Sequence, residues 1–406
     1  MKSKFIIHYI LIIFTVTFIA QAHAENSDNT KETLNKAAEL EKSGKFNEAF
    51  KLYTQAHADG NIKVCFNIAR LYVLGKGVKK DYQKAMEWGL KNKDAADCSF
   101  LIGTLFENGL GTEKSLEKAM GWYQKSAEKG YTQAQIVMGR ACFAGKGVVK
   151  DIDKALEWFT KAVEGGSSDA AHYLADIYSN GIGGVQVDHQ KGYKWYLKSA
   201  EMGDASGQYN VGISYARGLG VPNVNFRAAR NWFLKAAKQN NIDAMNELGK
   251  IFLNGKDGRV NNAQAFRWIS KAASMGDLTA ISSLGYCYME GKGVKKDEQK
   301  ALEYFRKSAK AGNSTGIYNL GVAYLNGLSV KKDEQKAYEL FFKASENGHS
   351  SASYFSGLAF EDGTVLKKDY EKAIEFYQRA VSHPGHSDIN DNAKSVIEHF
   401  SLPYSF

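Results

Sequence analysis

The amino-acid sequence predicts an all-α fold: an α-solenoid, wound as a right-handed superhelix, of about ten antiparallel helix pairs of roughly 36 residues each. Three observations predict it. The six tryptophans, Trp88, Trp122, Trp158, Trp195, Trp232 and Trp268, stand 34, 36, 37, 37 and 36 residues apart. The same steps lead on to Tyr304, Leu340 and Phe376 and back to Leu52. Helix-capping residues and glycines recur in the same register, and no alternating strand pattern occurs.

The chain opens on an expected export signal. Lys2 and Lys4 precede an almost wholly apolar run from Phe5 to Ala20, and Ala22-His23-Ala24 supplies the small-x-small pattern of a cleavage site. Residues 1–24 are therefore predicted to be a signal peptide, which places the chain in the periplasm or outside the cell. The run is short for a span of about 20 residues, and no later run is long enough to cross a bilayer. No cysteine near the site offers a lipid attachment point. Loss of Lys2 and Lys4 takes the net charge from +9 to +7, a mild excess that suits an anionic partner or simply a solvated surface.

Each repeat unit can be read column by column. Seven residues before the aromatic stand Asp81, Ser115, Asp151, Asp188, Asn225, Asn261, Asp297, Asp333 and Asp369, all of the residue types that cap helix N-termini. Three before it stands a small residue, from Ala85 and Ala119 to Ala337 and Ala373, which lets a neighbouring helix approach. Three after it stands a cation, from Lys91 and Lys125 to Lys343 and Arg379, suited to the negative end of a helix. A helix of about 12 to 14 residues follows from cap, apolar stripe and cationic end. A first helix precedes each of these, with apolar residues at spacings of three and four. It ends at Gly75, Gly109, Gly145, Gly181, Gly218, Gly255, Gly291, Gly327 or Gly363, where a left-handed backbone stops it.

The consensus Leu-Gly-x-x-Tyr-x-x-Gly-x-Gly-Val-x-x-Asp-x-x-Lys-Ala-x-x-Trp-x-x-Lys-Ala-Ala-x-x-Gly resembles the Sel-one-like repeat (SLR) family, relatives of the tetratricopeptide repeats. The resemblance covers residues 61–384 in nine copies. Residues 25–60, with Gly44, Phe46, Ala49 and Tyr53, resemble a plain tetratricopeptide repeat and are expected to cap the array. Residues 385–406, with a short helix from Ala393 to Phe400, are expected to cap the other end. The resemblance implies a binding scaffold, since bacterial relatives include periplasmic regulators, polymer-export scaffolds and secreted factors in host-cell interaction.

Cysteine-rich exported members of the family are also associated with β-lactamase or cell-wall peptide hydrolysis, which is the alternative function. Serine β-lactam chemistry needs Ser-x-x-Lys on one helical turn, and Ser115-Leu-Glu-Lys118 and Ser126-Ala-Glu-Lys129 match. The register assigns both to structure. Ser115 stands in the capping column, Lys118 aligns with Lys84, Lys154 and Lys300, and Ser126 stands in a small-residue column. Ser27-Asp-Asn29 and Lys42-Ser-Gly44 precede both sites, the reverse of the hydrolase order. No catalytic residue is assigned.

The four cysteines carry less than in those relatives. Cys65 and Cys98 occupy first helices of adjacent units, one column apart, where a disulfide needs Cα atoms closer than the 8 to 10 Å usual for packed helices. Two buried thiols are the expected state, a disulfide the alternative, and Cys142 and Cys287 are expected to be unpaired core residues. His383 and His386 lack further ligands at suitable spacing, so no metal or other cofactor is expected.

One first-helix column is the candidate binding face: Phe66, Phe100, Ile136, His172, Tyr209, Asn246, Ser282, Tyr318 and Tyr354. The matching column of tetratricopeptide arrays lines their concave groove, so these aromatics are expected either to bind an extended chain or to fill gaps between helices. Four residues on, Arg70, Arg140, Asp176 and Lys250 vary in charge, as specificity positions would. The paired lysines Lys79-Lys80, Lys295-Lys296, Lys331-Lys332 and Lys367-Lys368 recur in the loops and are expected to form a basic ridge, either a solvated rim or a site for an anionic envelope polymer. The expectation is a monomeric, exported, non-enzymatic adaptor that binds a protein segment or domain, without a nucleic-acid partner.

Overall fold

The computed structural model describes residues 28–363, 367–382 and 391–397. Residues 1–24, read from the sequence as a signal peptide, and His383 and His386 lie outside these residues. Within them every regular element is helical. An initial pair, α1 (Asp28–Lys42) and α2 (Phe46–Ala58), precedes nine units, each a first helix followed by a second. None is long and apolar enough to cross a membrane. The chain divides into two compact units, residues 1–203 and 204–406.

In the first unit the repeats pair α3 (Cys65–Leu74) with α4 (Tyr82–Lys91), α5 (Ala96–Asn108) with α6 (Leu116–Glu128), α7 (Thr132–Ala144) with α8 (Ile152–Glu164), and α9 (Ser168–Asn180) with α10 (His189–Glu201). In the second unit they pair α11 (Ala205–Arg217) with α12 (Phe226–Lys238), α13 (Ile242–Asn254) with α14 (Asn262–Ser274), and α15 (Leu278–Glu290) with α16 (Glu298–Lys310). The series ends with α17 (Ser314–Asn326) and α18 (Glu334–Glu346), then α19 (Ser350–Asp362) and α20 (Tyr370–Ser382). Within each unit of the chain, every helix packs on the next. Residues 391–397 form about two more helical turns, and Ala393 is buried against Ala373, Tyr377 and Ala380. This is the helix-pair architecture expected of an α-solenoid.

Local chemistry sets the helix ends. In all nine second helices the residue of the capping column accepts a hydrogen bond from the backbone N–H three positions on. Each first helix stops at its glycine with φ between 63° and 73°. Replacing Asp151, whose carboxylate accepts from Lys154 N at 2.9 Å, by alanine is expected to cost about 1 kcal/mol. Asp151→Asn should retain most of that stability in urea denaturation, which checks that hydrogen bonding and not charge is the cause.

The core is built one position beyond the tryptophans. Tyr53, Tyr123, Phe159, Phe233, Phe305, Phe341 and Tyr377 are among the largest fully buried side chains. Each of the last six stands over a first-helix glycine. A Cβ on Gly212 would lie 2.5 Å from the Phe233 ring, and one on Gly321 would lie 2.7 Å from Phe341. The glycine is thus the floor of the pocket that receives the ring. The tryptophans are only half-buried, except Trp158 at 5%. Five of them carry the lysine three positions on over their rings, at 3.6 Å for Lys91 on Trp88, 4.7 Å for Lys161 on Trp158 and 3.6 Å for Lys235 on Trp232. The lysine column therefore serves the tryptophans as well as the helix ends.

Candidate protein-binding groove

The first-helix column behaves differently along the chain because its neighbours differ in size. In the first unit Phe66 is half-buried on Ala69, Val73, Leu101 and Leu105. Phe100 is only 4% exposed, with ring centroids of Tyr123 and Tyr131 at 5.3 and 5.1 Å, and Ile136 is 7% exposed. These two belong to the core and offer no docking surface. Arg140 is exposed.

Arg70 is engaged in the array itself. Its Nη2 reaches both carboxylate oxygens of Glu41 at 2.6 Å, with the two side chains 11% and 13% exposed. The pair joins α3 to α1. Burial, with the Glu41 charge beside it, pushes the Tyr53 phenol well above its ordinary value.

His172, Asp176 and Tyr196 form a polar cluster. Tyr196 donates to Asp176 Oδ1 at 2.6 Å, and His172 Nε2 lies 3.5 Å from Asp176 Oδ2, with its ring edge-on to Tyr196 at 5.6 Å. Burial foremost, then Asp176, raises the Tyr196 phenol. The accessible ring of this repeat is the next residue, Tyr173, 37% exposed and stacked on Phe159 at 5.2 Å. The sequence hides it, because only this repeat and the one holding Phe355 have an aromatic there. The same buried tyrosine column finds an acidic partner in Tyr123, which donates to Glu107 at 2.8 Å.

In the second unit Tyr209 is half-buried against Phe233, ring centroids 5.8 Å apart, and burial raises its phenol, with Glu247 and Asp243 adding to the shift. Lys250 is exposed and pairs with Glu247 at 2.7 Å. Asn246 donates to Asp277 Oδ1 at 3.0 Å, and Asn319 donates to buried Ser282 at 3.0 Å. Tyr318 and Tyr354 are half-buried members of a continuous aromatic run. Tyr318 stacks on His349 at 4.5 Å and meets Phe341 and Phe355 at 5.5 and 6.1 Å. Tyr354 meets Phe355 at 5.9 Å and Tyr377 at 5.5 Å. Both rings rest on core aromatics on one side and keep part of their surface accessible on the other.

The remaining sequence candidates are used locally. Ser115 Oγ accepts from Lys118 N at 3.3 Å as a cap, while Lys118 Nζ sits over the Phe106 ring at 5.6 Å. Ser126 is fully buried and donates to Ala96 O at 2.6 Å. Cys65, Cys98, Cys142 and Cys287 are all buried free thiols. Burial raises Cys65 and Cys98, the latter helped by neighbouring Asp97, and pushes Cys287 up to about 11. In the loop lysine pairs the second member is partly neutralised: Lys296 meets Glu298 at 2.8 Å and Lys332 meets Glu334 at 2.6 Å. Lys80 and Lys368 lie over the rings of Tyr82 and Tyr370. No group of three or more His, Cys, Asp or Glu suited to a metal occurs among the described residues.

The Sel1 repeat profile matches the chain nine times, at residues 62–91, 96–131, 132–167, 168–204, 205–241, 242–277, 279–313, 314–349 and 350–383. Among solved structures the chain is similar to a protective antigen of uropathogenic Escherichia coli with an SLR fold. That likeness has 27% identity and a TM-score of 0.60, over 94% of this chain and 92% of that one. It is also similar to a Sel1 repeat protein of Oxalobacter formigenes, with 26% identity and a TM-score of 0.58, over 78% and 90% of the two chains. No curated protein matches significantly.

Proposed function

The chain belongs to the Sel1 repeat family, whose arrays typically serve as protein-interaction scaffolds, and on that premise we propose that it is an exported, non-enzymatic adaptor binding a protein segment through its first helices. The observation that carries this reading is the accessible part of the first-helix column. In the second unit Tyr318 and Tyr354 keep part of their rings at the surface; in the first, Tyr173, next to the column, does the same, and Arg140 and Lys250 are exposed. Rings braced from behind offer area at low entropic cost, and varied charges on the first helices select the partner. The serines that imitate a catalytic pair are spent on a helix cap and a backbone bond.

Export rests on residues 1–24 and is supported by the similar Escherichia coli protein being a protective antigen. The test is affinity capture from envelope and host-cell lysates by the chain from residue 25 onward. Wild type is expected to enrich one protein reproducibly. Tyr318→Ala/Tyr354→Ala and Lys250→Glu should each reduce its recovery about tenfold, the loss expected for a hot-spot side chain, while Ser115→Ala should not. Equal recovery by wild type and the groove variants, with helicity intact, would refute the groove.

A further inference from the structure

Charge is distributed unevenly over the second helices of the 204–406 unit. Helices α12 and α14 carry Arg227, Arg230, Lys235, Lys238, Arg267 and Lys271, and neither contains an aspartate or glutamate. The other second helices of this unit each hold at least two acids: Glu298 and Glu303 in α16, Glu334 and Glu339 in α18, Glu371 and Glu375 in α20. There the cations are paired locally, as Lys300 with Asp297, Lys372 with Asp369 and Arg379 with Glu375.

In α12 and α14 only Arg230 has an acidic partner among the described residues, the Asp257 carboxylate. Arg227 Nε donates to the carbonyl of the same residue at 3.1 Å, so the loop is held against α12. Arg227, Lys235, Lys238 and Arg267 are exposed, on the side of their helices opposite Phe233 and Ile269. Lys235 and Lys271 hold the same repeat position on consecutive second helices. Like charges one turn apart, such as Lys235 with Lys238, disfavour a helix slightly, which a bound anion would relieve.

We propose that this face of α12 and α14 binds an acidic polysaccharide, at a surface separate from the first-helix column. The chemistry of the face selects that occupant. A folded protein partner needs an apolar anchor, and no large apolar side chain of either helix is exposed. A single-stranded nucleic acid needs open rings on which bases stack. Here Lys235 Nζ covers Trp232 at 3.6 Å and Lys271 Nζ lies over Trp268 at 5.8 Å. What remains is a polyanion held by charge, with carboxylate or sulfate groups matched to the guanidinium forks of Arg227 and Arg267.

The experiment measures binding of the chain from residue 25 onward to heparin and polygalacturonate, with dextran, duplex DNA and anionic phospholipid vesicles as other arms. Both acidic polysaccharides should bind, more weakly as salt rises, and dextran should not. Lys238→Glu/Arg267→Glu should weaken them at least about tenfold, and Lys238→Gln/Arg267→Gln should weaken them in the same direction with little effect on folding. Lys300→Glu/Lys372→Glu, which changes net charge equally elsewhere, should leave binding unchanged. Equal losses from both charge reversals would overturn the proposal in favour of net charge alone. Tighter binding to DNA or vesicles than to the polysaccharides, or no binding at all, would also overturn it. Protein capture by Tyr318→Ala/Tyr354→Ala is read separately, so this face and the groove can fail independently.

Discussion

Phe233→Ala is expected to destabilise the array by about 3 to 5 kcal/mol, far more than Trp232→Ala, although tryptophan is the larger residue. Phe233 is 0% exposed and its ring fills the space above Gly212, where even a Cβ would collide with it. Truncation leaves a cavity that the surrounding Ala229, Leu248 and Ala236 can collapse into only partly. Trp232 lies half at the surface with Lys235 over its ring at 3.6 Å, so its removal forfeits partial burial and one cation–π contact, about 1.5 kcal/mol together. Thermal and urea unfolding followed by helicity give the comparison. Equal or reversed losses would mean that the tryptophan column, and not its neighbour, holds the pairs together.

That contrast explains what could be read from the sequence. The capping residues and closing glycines were legible because their work is local: Asp151 needs only the N–H of Lys154, and Gly75 only its own backbone angle. The tryptophans marked the period because they are rare, but rarity says nothing of depth. The buried column mixes Tyr, Phe and Ile, with Gly89 in one repeat, so composition hides it while geometry unites it. The groove was legible as a column and not as a surface. Whether a ring at that position is accessible depends on the helix and loop that follow, such as Tyr123 and Tyr131 closing over Phe100. The pairing of lysines with acids in the loops was similarly hidden. Lys296 and Lys332 read as a ridge until Glu298 and Glu334, two residues on, turn back to meet them.

Arg70 makes the point with a second large effect. By column it looks like a specificity residue, yet it points both of its short contacts at Glu41, in the pair of helices that lacks the tryptophan register. Arg70→Ala is expected to cost about 3 kcal/mol or more, because it leaves the Glu41 carboxylate, 13% exposed, without its partner. Replacing both by methionine should recover most of that stability, since a well-packed apolar pair avoids the desolvation of both charges. Repeat arrays lose end units independently, so the loss should fall first on α1 and α2. Hydrogen exchange of residues 28–58 in wild type, Arg70→Ala and Arg70→Met/Glu41→Met resolves it. If Arg70→Ala shifted exchange there by no more than about 0.5 kcal/mol, as an exposed surface pair would, Arg70 would be free to serve a partner instead. The expected coupling assigns it to the joint between the first helix pair and the repeats.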